Sequence, residues 1–244
     1  FCCSSSYYYI YYFKSLKMTE EAVKIRSICI DTLTGIQNEI YMQEASKPGY
    51  DKWTDYGKDI WQLISNLQKE GFEIVLILGE PGTGKSSGMR TLPHNTNIWF
   101  NADNKNPVWV GGKEEYGKKH QPRLPYHVIP RSYRDIFDHI KKVKERGMFE
   151  DTKFAILTGH TEDYKTGLDT KKRLKTLGSL ATKMQLEGKL ETVMYSDVQK
   201  DSDKVTYILT TENDGLNTAR SPMGLFPPVI ENDYNLVITK LLEF

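Results

Sequence analysis

From Met18 onward, short apolar runs alternate with amphipathic stretches, the pattern of a parallel sheet flanked by helices. Ile25 to Ile30 (IRSICI) predicts a short strand closed by Asp31. Trp53, Tyr56, Ile60, Leu63, Ile64 and Leu67 recur at three- and four-residue spacing, which predicts a helix with one apolar face that stops at Gly71. Phe72 to Leu78 (FEIVLIL) is continuously apolar apart from Glu73, as in a strand buried on both faces, and it runs into a Gly-rich loop. A helix is expected from near Lys85, then a strand at Asn97 to Asn101 (NIWFN). Ser132 with Asp135 three residues on has the form of a capping box. The helix it opens has Tyr133, Ile136, Phe137, Ile140 and Val143 as its apolar face and ends at Gly147. Phe154 to Leu157 predicts the next strand, ending in Thr158-Gly159-His160.

The last third changes character. Residues 161 to 190 are polar and Lys-rich and read as a loop, whereas Glu191 to Gln199 and Lys204 to Glu212 alternate like two strands joined at Lys200 to Asp203, an antiparallel edge on the main sheet. Asp233 is placed to cap a short C-terminal helix running through Leu242. Residues 101 to 131 contain Gly111-Gly112 and several prolines without a period, which predicts a long surface excursion. Residues 1 to 17 are aromatic-rich with no acidic side chain, lack the signature of a signal peptide and are too short and polar to span a bilayer. They are expected to lie outside a single α/β domain over 18–244.

Charge narrows the partners little. Lys plus Arg number 33 against 32 Asp plus Glu, so any nucleic-acid surface has to be a local patch, and no membrane partner is expected. Cys2, Cys3 and Cys29 form no CxxC pair, which fits a reducing, cytoplasmic setting and gives neither a disulfide framework nor a zinc site.

The chemistry concentrates in Gly79-Glu80-Pro81-Gly82-Thr83-Gly84-Lys85-Ser86, which has the spacing GxxxxGK[ST], with Ser87 following. Its glycines allow successive backbone N–H groups to turn inward as an anion nest. Lys85 can reach the β- and γ-phosphates of ATP, and the Ser86 hydroxyl can ligate Mg²⁺. The alternative is a Gly-rich strand-to-helix turn with no ligand. The apolar strand before the loop and the helix expected after it favour the phosphate cradle, the context that confirms such a motif.

Four further residues are candidates, each with a plainer alternative. Asp31, at the carboxyl end of a buried strand, either orients Mg²⁺ or caps the next turn. Asp103, just past NIWFN, is either a general base for attacking water or a solvated loop carboxylate. His160 either contacts the γ-phosphate or is a hydrogen-bonded turn residue. Arg220 is either an arginine finger acting across a subunit interface or a surface ion-pair residue. Lys165, Lys171, Lys172, Arg173 and Lys175, with Asp169 among them, either track a nucleic-acid phosphate backbone or form a solvated face.

Taken together, GEPGTGKS, CIDTLTG, FNAD, LTGH and the tail TARSPMGLFP followed by ND resemble the RecA-like ATPases that bacteriophages encode, a branch of the P-loop proteins associated with recombination and single-strand annealing. The resemblance runs from about Ile25 to Tyr234. It implies ATP hydrolysis with Mg²⁺, self-assembly into a homo-oligomer and action on single-stranded DNA. It places the water-activating carboxylate on Asp103, where Glu is usual, the polar sensor on His160, and the disordered DNA-contacting loop on the Lys-rich stretch. In that family the P-loop comes first and the metal-orienting strand later, whereas here Asp31 precedes Lys85, as if FEIVLIL and FAIL had exchanged places in the chain. Strands that are sheet neighbours can do so and still assemble the same site. Two other functions use the same cradle. One is a nucleotide-dependent regulatory module with little hydrolysis, and the other is a small-molecule kinase with 101 to 131 as its lid, for which Arg123 and Arg131 are few clamping residues.

Overall fold

FEIVLILG is so continuously apolar that it needs cover on both faces, and it receives it at the centre of the sheet. The computed structural model describes residues 24–44, 51–118, 121–122, 126–176, 186–201 and 204–244, with the backbone only at 51–57, 118 and 121–122. Residues 1 to 17 thus lie outside the described residues, as do the side chains of Trp53 and Tyr56. In chain order the elements are β1 (Ile25–Asp31), α1 (Leu33–Glu44), α2 (Asp51–Lys69), β2 (Phe72–Gly79), a 3-10 turn (Ser86–Thr91), β3 (Asn97–Asn101), α3 (Gly112–Tyr116), β4 (Gly117–Lys118), β5 (Gln121–Pro122), β6 (His127–Val128), α4 (Tyr133–Glu145), β7 (Phe149–Thr166), β8 (Asp169–Leu174), a second 3-10 turn (Leu186–Lys189), β9 (Thr192–Asp201), β10 (Lys204–Thr210), β11 (Val229–Glu231) and α5 (Tyr234–Glu243).

Among the described residues the main sheet has the order β11-β10-β9-β2-β7-β1-β3-β6, with β8 hairpinned onto β7. From β9 to β6 every pairing is parallel, while β10 and β11 add the expected antiparallel edge. Alternation of side chains along each strand builds two cores. Ile28, Ile30, Leu76, Leu78, Ala155 and Leu157 face α1, α2 and α4, which contribute Ile36, Leu63 and Ile140 among others. Cys29, Val75, Ile77, Ile156 and Met194 face Met89 and the buried Tyr234, Val237 and Ile238 of α5. The capping box opens α4 as expected, Ser132 Oγ accepting from Asp135 N, and Asp233 caps α5 by accepting from Leu236 N at 2.8 Å.

The chain order does what the exchanged strands require: β2 and β7 are neighbours over their whole shared length, Phe72 opposite Lys153 through Gly79 opposite His160, with β1 on the far side of β7. The carboxyl ends of β1, β2 and β3 therefore open on one edge of the sheet.

Three expectations are corrected. The helix expected from near Lys85 is a 3-10 turn of six residues. Ser86, Ser87 and Gly88 are poor helix formers, and Leu92, extended before Pro93 (φ −81, ψ 133), ends the turn. The strand FAIL is the middle of an 18-residue strand that runs on to Thr166, and Asp169–Leu174 of the Lys-rich stretch expected as a loop is its hairpin partner, while residues 177 to 185 lie outside the described residues. A two-residue turn at Gly167-Leu168, with Gly167 at φ +65, closes the ribbon. The excursion at 101 to 131 is anchored: Trp109, Tyr116 and His127 pack around Trp99, and β6 extends the sheet beside β3.

Candidate functional site

The Gly-rich loop leaves β2 at Gly79, and its glycines are imposed by neighbours as well as by conformation. Gly82 and Gly84 sit at φ +85 and +91, where side chains are strained. A Cβ on Gly84 would lie 2.6 Å from the Tyr207 ring, and one on Gly79 would lie 2.6 Å from Ser196 O. The loop is gripped from outside. Ser196 Oγ of β9 donates to Thr83 O at 2.6 Å, Asn232 Nδ2 donates to Gly84 O at 2.7 Å, and the Tyr234 hydroxyl donates to Lys85 O. Within it, the N–H groups of Gly82, Gly84 and Lys85 meet no backbone acceptor among the described residues.

Lys85 is buried, 5% exposed, and its ammonium donates to Gly79 O at 2.8 Å and Glu80 O at 2.7 Å. Burial pulls its pKa down to about 8, against the opposing pull of Asp31, Asp103 and Glu80. Asp31, 4% exposed, closes β1. Thr158 Oγ1 donates to its Oδ1 at 2.7 Å. Burial raises the Asp31 pKa, while hydrogen bonds from Thr158 and Ser86 work in the other direction. The Ser86 hydroxyl and the Asp31 carboxylate thus meet beside Lys85, two oxygen donors of the kind a divalent cation takes.

Asp103 follows β3 and receives the Lys105 ammonium at 2.6 Å. Its carboxylate fills the space where a side chain on Gly35 of α1 would stand. His160 lies opposite Gly79 in the β2–β7 register. Its N–H donates to Thr34 Oγ1 at 3.2 Å, and its Nδ1 is buried without a partner among the described residues. Burial first, then the Lys85 charge, lowers its pKa, so the ring is neutral near pH 7. The structure accordingly brings Asp31, Lys85, Ser86, Asp103 and His160 to one edge of the sheet.

Arg220 is not brought there. It bridges Val193, which lies level with Leu76, well below the loop, and its guanidinium donates to Glu187 O within its own chain. The basic stretch is also rearranged. Alternation along the ribbon puts Lys171, opposite Tyr164, and Arg173, opposite Glu162, on one face, while Lys165 and Lys172 take the other. Lys172 pairs with Glu80 at 2.6 Å and Arg173 with Glu162 at 2.8 Å. Lys165, Lys171 and Lys175 make no ion pair among the described residues.

No protein-family model, curated protein or solved structure matches this chain. No described helix is long and apolar enough to cross a membrane.

Sequence reasoning missed the loop's outer supports, Ser196, Tyr207, Asn232 and Tyr234, and the pairing of Lys105 with Asp103. Asn232 stood out in the tail beside the capping Asp233 without a role of its own. Nothing local in the sequence signals Ser196 or Tyr207, whose proximity to the loop is a property of the sheet.

Proposed function

We propose that this protein binds ATP with Mg²⁺ in the loop 79–87 and hydrolyses it. The observation that supports it most is the convergence of the buried Lys85 with Asp31 and Ser86 at a loop whose Gly82, Gly84 and Lys85 N–H groups meet no backbone acceptor among the described residues. These residues fit the ligand. The N–H groups and the ammonium suit phosphate oxygens, and a hydroxyl beside a carboxylate suits Mg²⁺. ATP supplies the phosphoryl group, and Mg²⁺ neutralises charge on it. Lys85 then provides the fixed cation at the floor of the loop, Ser86 and Asp31 would hold the metal, Asp103 would orient and deprotonate water, and His160 would report on the terminal phosphate.

The wider reading is a RecA-like ATPase acting on single-stranded DNA in recombination or replication, as the motif resemblance implies. Lys165, Lys171 and Lys175, on and beside the ribbon, make no ion pair among the described residues, and this supports a DNA contact in which each neutralises a phosphate. Self-assembly through Arg220 has no such support. One observation favours the regulatory module with little hydrolysis: the Lys105 ammonium occupies one oxygen of the Asp103 carboxylate at 2.6 Å, where an attacking water would otherwise donate.

The test is ATP turnover with and without single-stranded DNA, in wild type and Lys85→Ala. Turnover stimulated by DNA and lost in the variant is expected. Tight ATP binding without turnover would establish the regulatory module instead, and turnover indifferent to DNA, with no DNA retained at low salt, would remove DNA from the function.

A further inference from the structure

The turn that carries Asp103 is held by a single buried side chain. Asn101, 1% exposed, ends β3. Its Oδ1 accepts from Lys105 N at 3.1 Å while its Nδ2 donates to Lys105 O at 2.6 Å. Its own carbonyl accepts from Asn104 N at 3.3 Å, and Asn104 takes the left-handed conformation, φ +50, that folds the turn back. Asn101 therefore holds both backbone groups of Lys105, the residue whose ammonium lies on Asp103.

A second side chain fixes the amide. His127, fully buried on β6, stacks on Trp99 with centroids 4.5 Å apart and planes 12° from parallel. Its Nε2 lies 3.1 Å from Asn101 Nδ2 and its Nδ1 lies 2.7 Å from Tyr116 O. The two contacts to Lys105 decide which end of the Asn101 amide is nitrogen, so Nε2 has to accept, and the ring is neutral with its proton on Nδ1, donated to Tyr116 O. Turning the amide over would set oxygen against both the Lys105 carbonyl and the Nε2 lone pair, and the amide nitrogen against the Lys105 N–H. One arrangement alone satisfies every group.

We propose that Asn101, locked by His127, is the positioning residue for Asp103, setting where its carboxylate sits and how Lys105 meets it. It acts through the turn 102–105 and touches no phosphate, and it rests on Asp103 activating water as proposed above. Losing Asn101 releases the turn, and misplacing a catalytic group by about 1 Å lowers turnover by about 100-fold.

The experiment compares kcat, KM and the dissociation constant of a fluorescent ATP analogue in wild type, N101A, N101D, D103A and N101A/D103A. N101D has the same shape but cannot donate to Lys105 O or to His127, so it serves if N101A fails to fold. Either Asn101 variant is expected to lower kcat about 100-fold while nucleotide affinity and the melting temperature with nucleotide stay within about twofold and a few degrees of wild type. In the D103A background, N101A is expected to add nothing further. Losses that multiply in the double variant, or an unchanged kcat in both Asn101 variants, overturn the proposal while leaving the ATPase standing. Turnover that survives D103A, or no turnover in wild type with ATP bound, overturns the role of Asp103 itself and the proposal with it.

Discussion

The Lys172 ammonium lies 2.6 Å from the Glu80 carboxylate, tying the β7–β8 ribbon to the second residue of the Gly-rich loop. Each holds the other charged: Glu80 is pulled below the usual carboxylate range by Lys172, and Lys172 is raised by Glu80. Both are half exposed, so the pair contributes less than about 1 kcal/mol to stability. For the proposed DNA contact its consequence is larger, because a lysine already neutralised displaces no counterion. Glu80→Gln is expected to free Lys172 and steepen the dependence of log Kd on log salt for single-stranded DNA by about one. An unchanged slope would show that Lys172 meets no phosphate.

In the proposed ATP site Lys85 has to be charged to hold phosphate, and burial brings its pKa down to about 8. Below that value the cation is present. Above it, the protonated fraction falls, so ATP affinity should weaken by about tenfold between pH 7 and 9. Binding at pH 8.5 should take up a proton, seen as a calorimetric heat that depends on the buffer. Lys85→Arg, charged throughout, should flatten the profile. A flat wild-type profile over the same range would contradict the buried position of the ammonium.

Gly82 and Gly84 share a positive φ but not their surroundings, because a Cβ on Gly82 meets nothing within 4 Å while one on Gly84 meets the Tyr207 ring. Gly82→Ala should cost about 1–2 kcal/mol of stability, and Gly84→Ala should exceed it. Tyr207→Ala should recover part of the Gly84→Ala loss and none of the Gly82→Ala loss in thermal melts. Equal losses with no recovery would remove Tyr207 as a wall of the loop.

His127 is neutral when folded, its pKa pushed down to about 4 by burial against 6.5 for the free side chain. Above pH 6.5 folded and unfolded chains are both neutral at this site and stability is unaffected. As pH falls from 6.5 towards 4 the unfolded chain takes up a proton that the folded chain refuses, so stability declines, by about 3 kcal/mol in all, and the loss is complete below 4. His127→Phe keeps the stack on Trp99 and loses this proton. Urea melts between pH 4 and 7 should therefore show a shallower slope in the variant, and identical slopes would place the proton elsewhere.

The sequence alone determined the sheet-forming segments and the loop. FEIVLIL is too apolar to be anything but a central strand, IRSICI and NIWFN are similarly one-sided in their options, and the GxxxxGKS spacing is a local requirement of backbone and charge. The Ser132 and Asp233 caps were legible for the same reason, since a cap is satisfied within three residues. Asp31 and Asp103 could be picked out as strand-end carboxylates, but that both come within electrostatic range of Lys85 depends on the parallel order β2-β7-β1-β3, a long-range pairing that no local pattern encodes.

Tertiary structure decided the rest. The Lys-rich stretch reads as a loop because a solvated ribbon at the sheet's open edge has no core to mark it with alternating apolar residues. Once paired, its alternation split one apparent basic cluster between two faces and committed Lys172 to Glu80. Arg220, conspicuous in a polar segment, is half-buried and donates to the Glu187 carbonyl, a contact that only the fold brings within reach. The loop's supports, Ser196, Asn232 and Tyr234, and the lock of Asn101 by His127 join residues far apart in the chain, and only the folded sheet brings their donors and acceptors within reach.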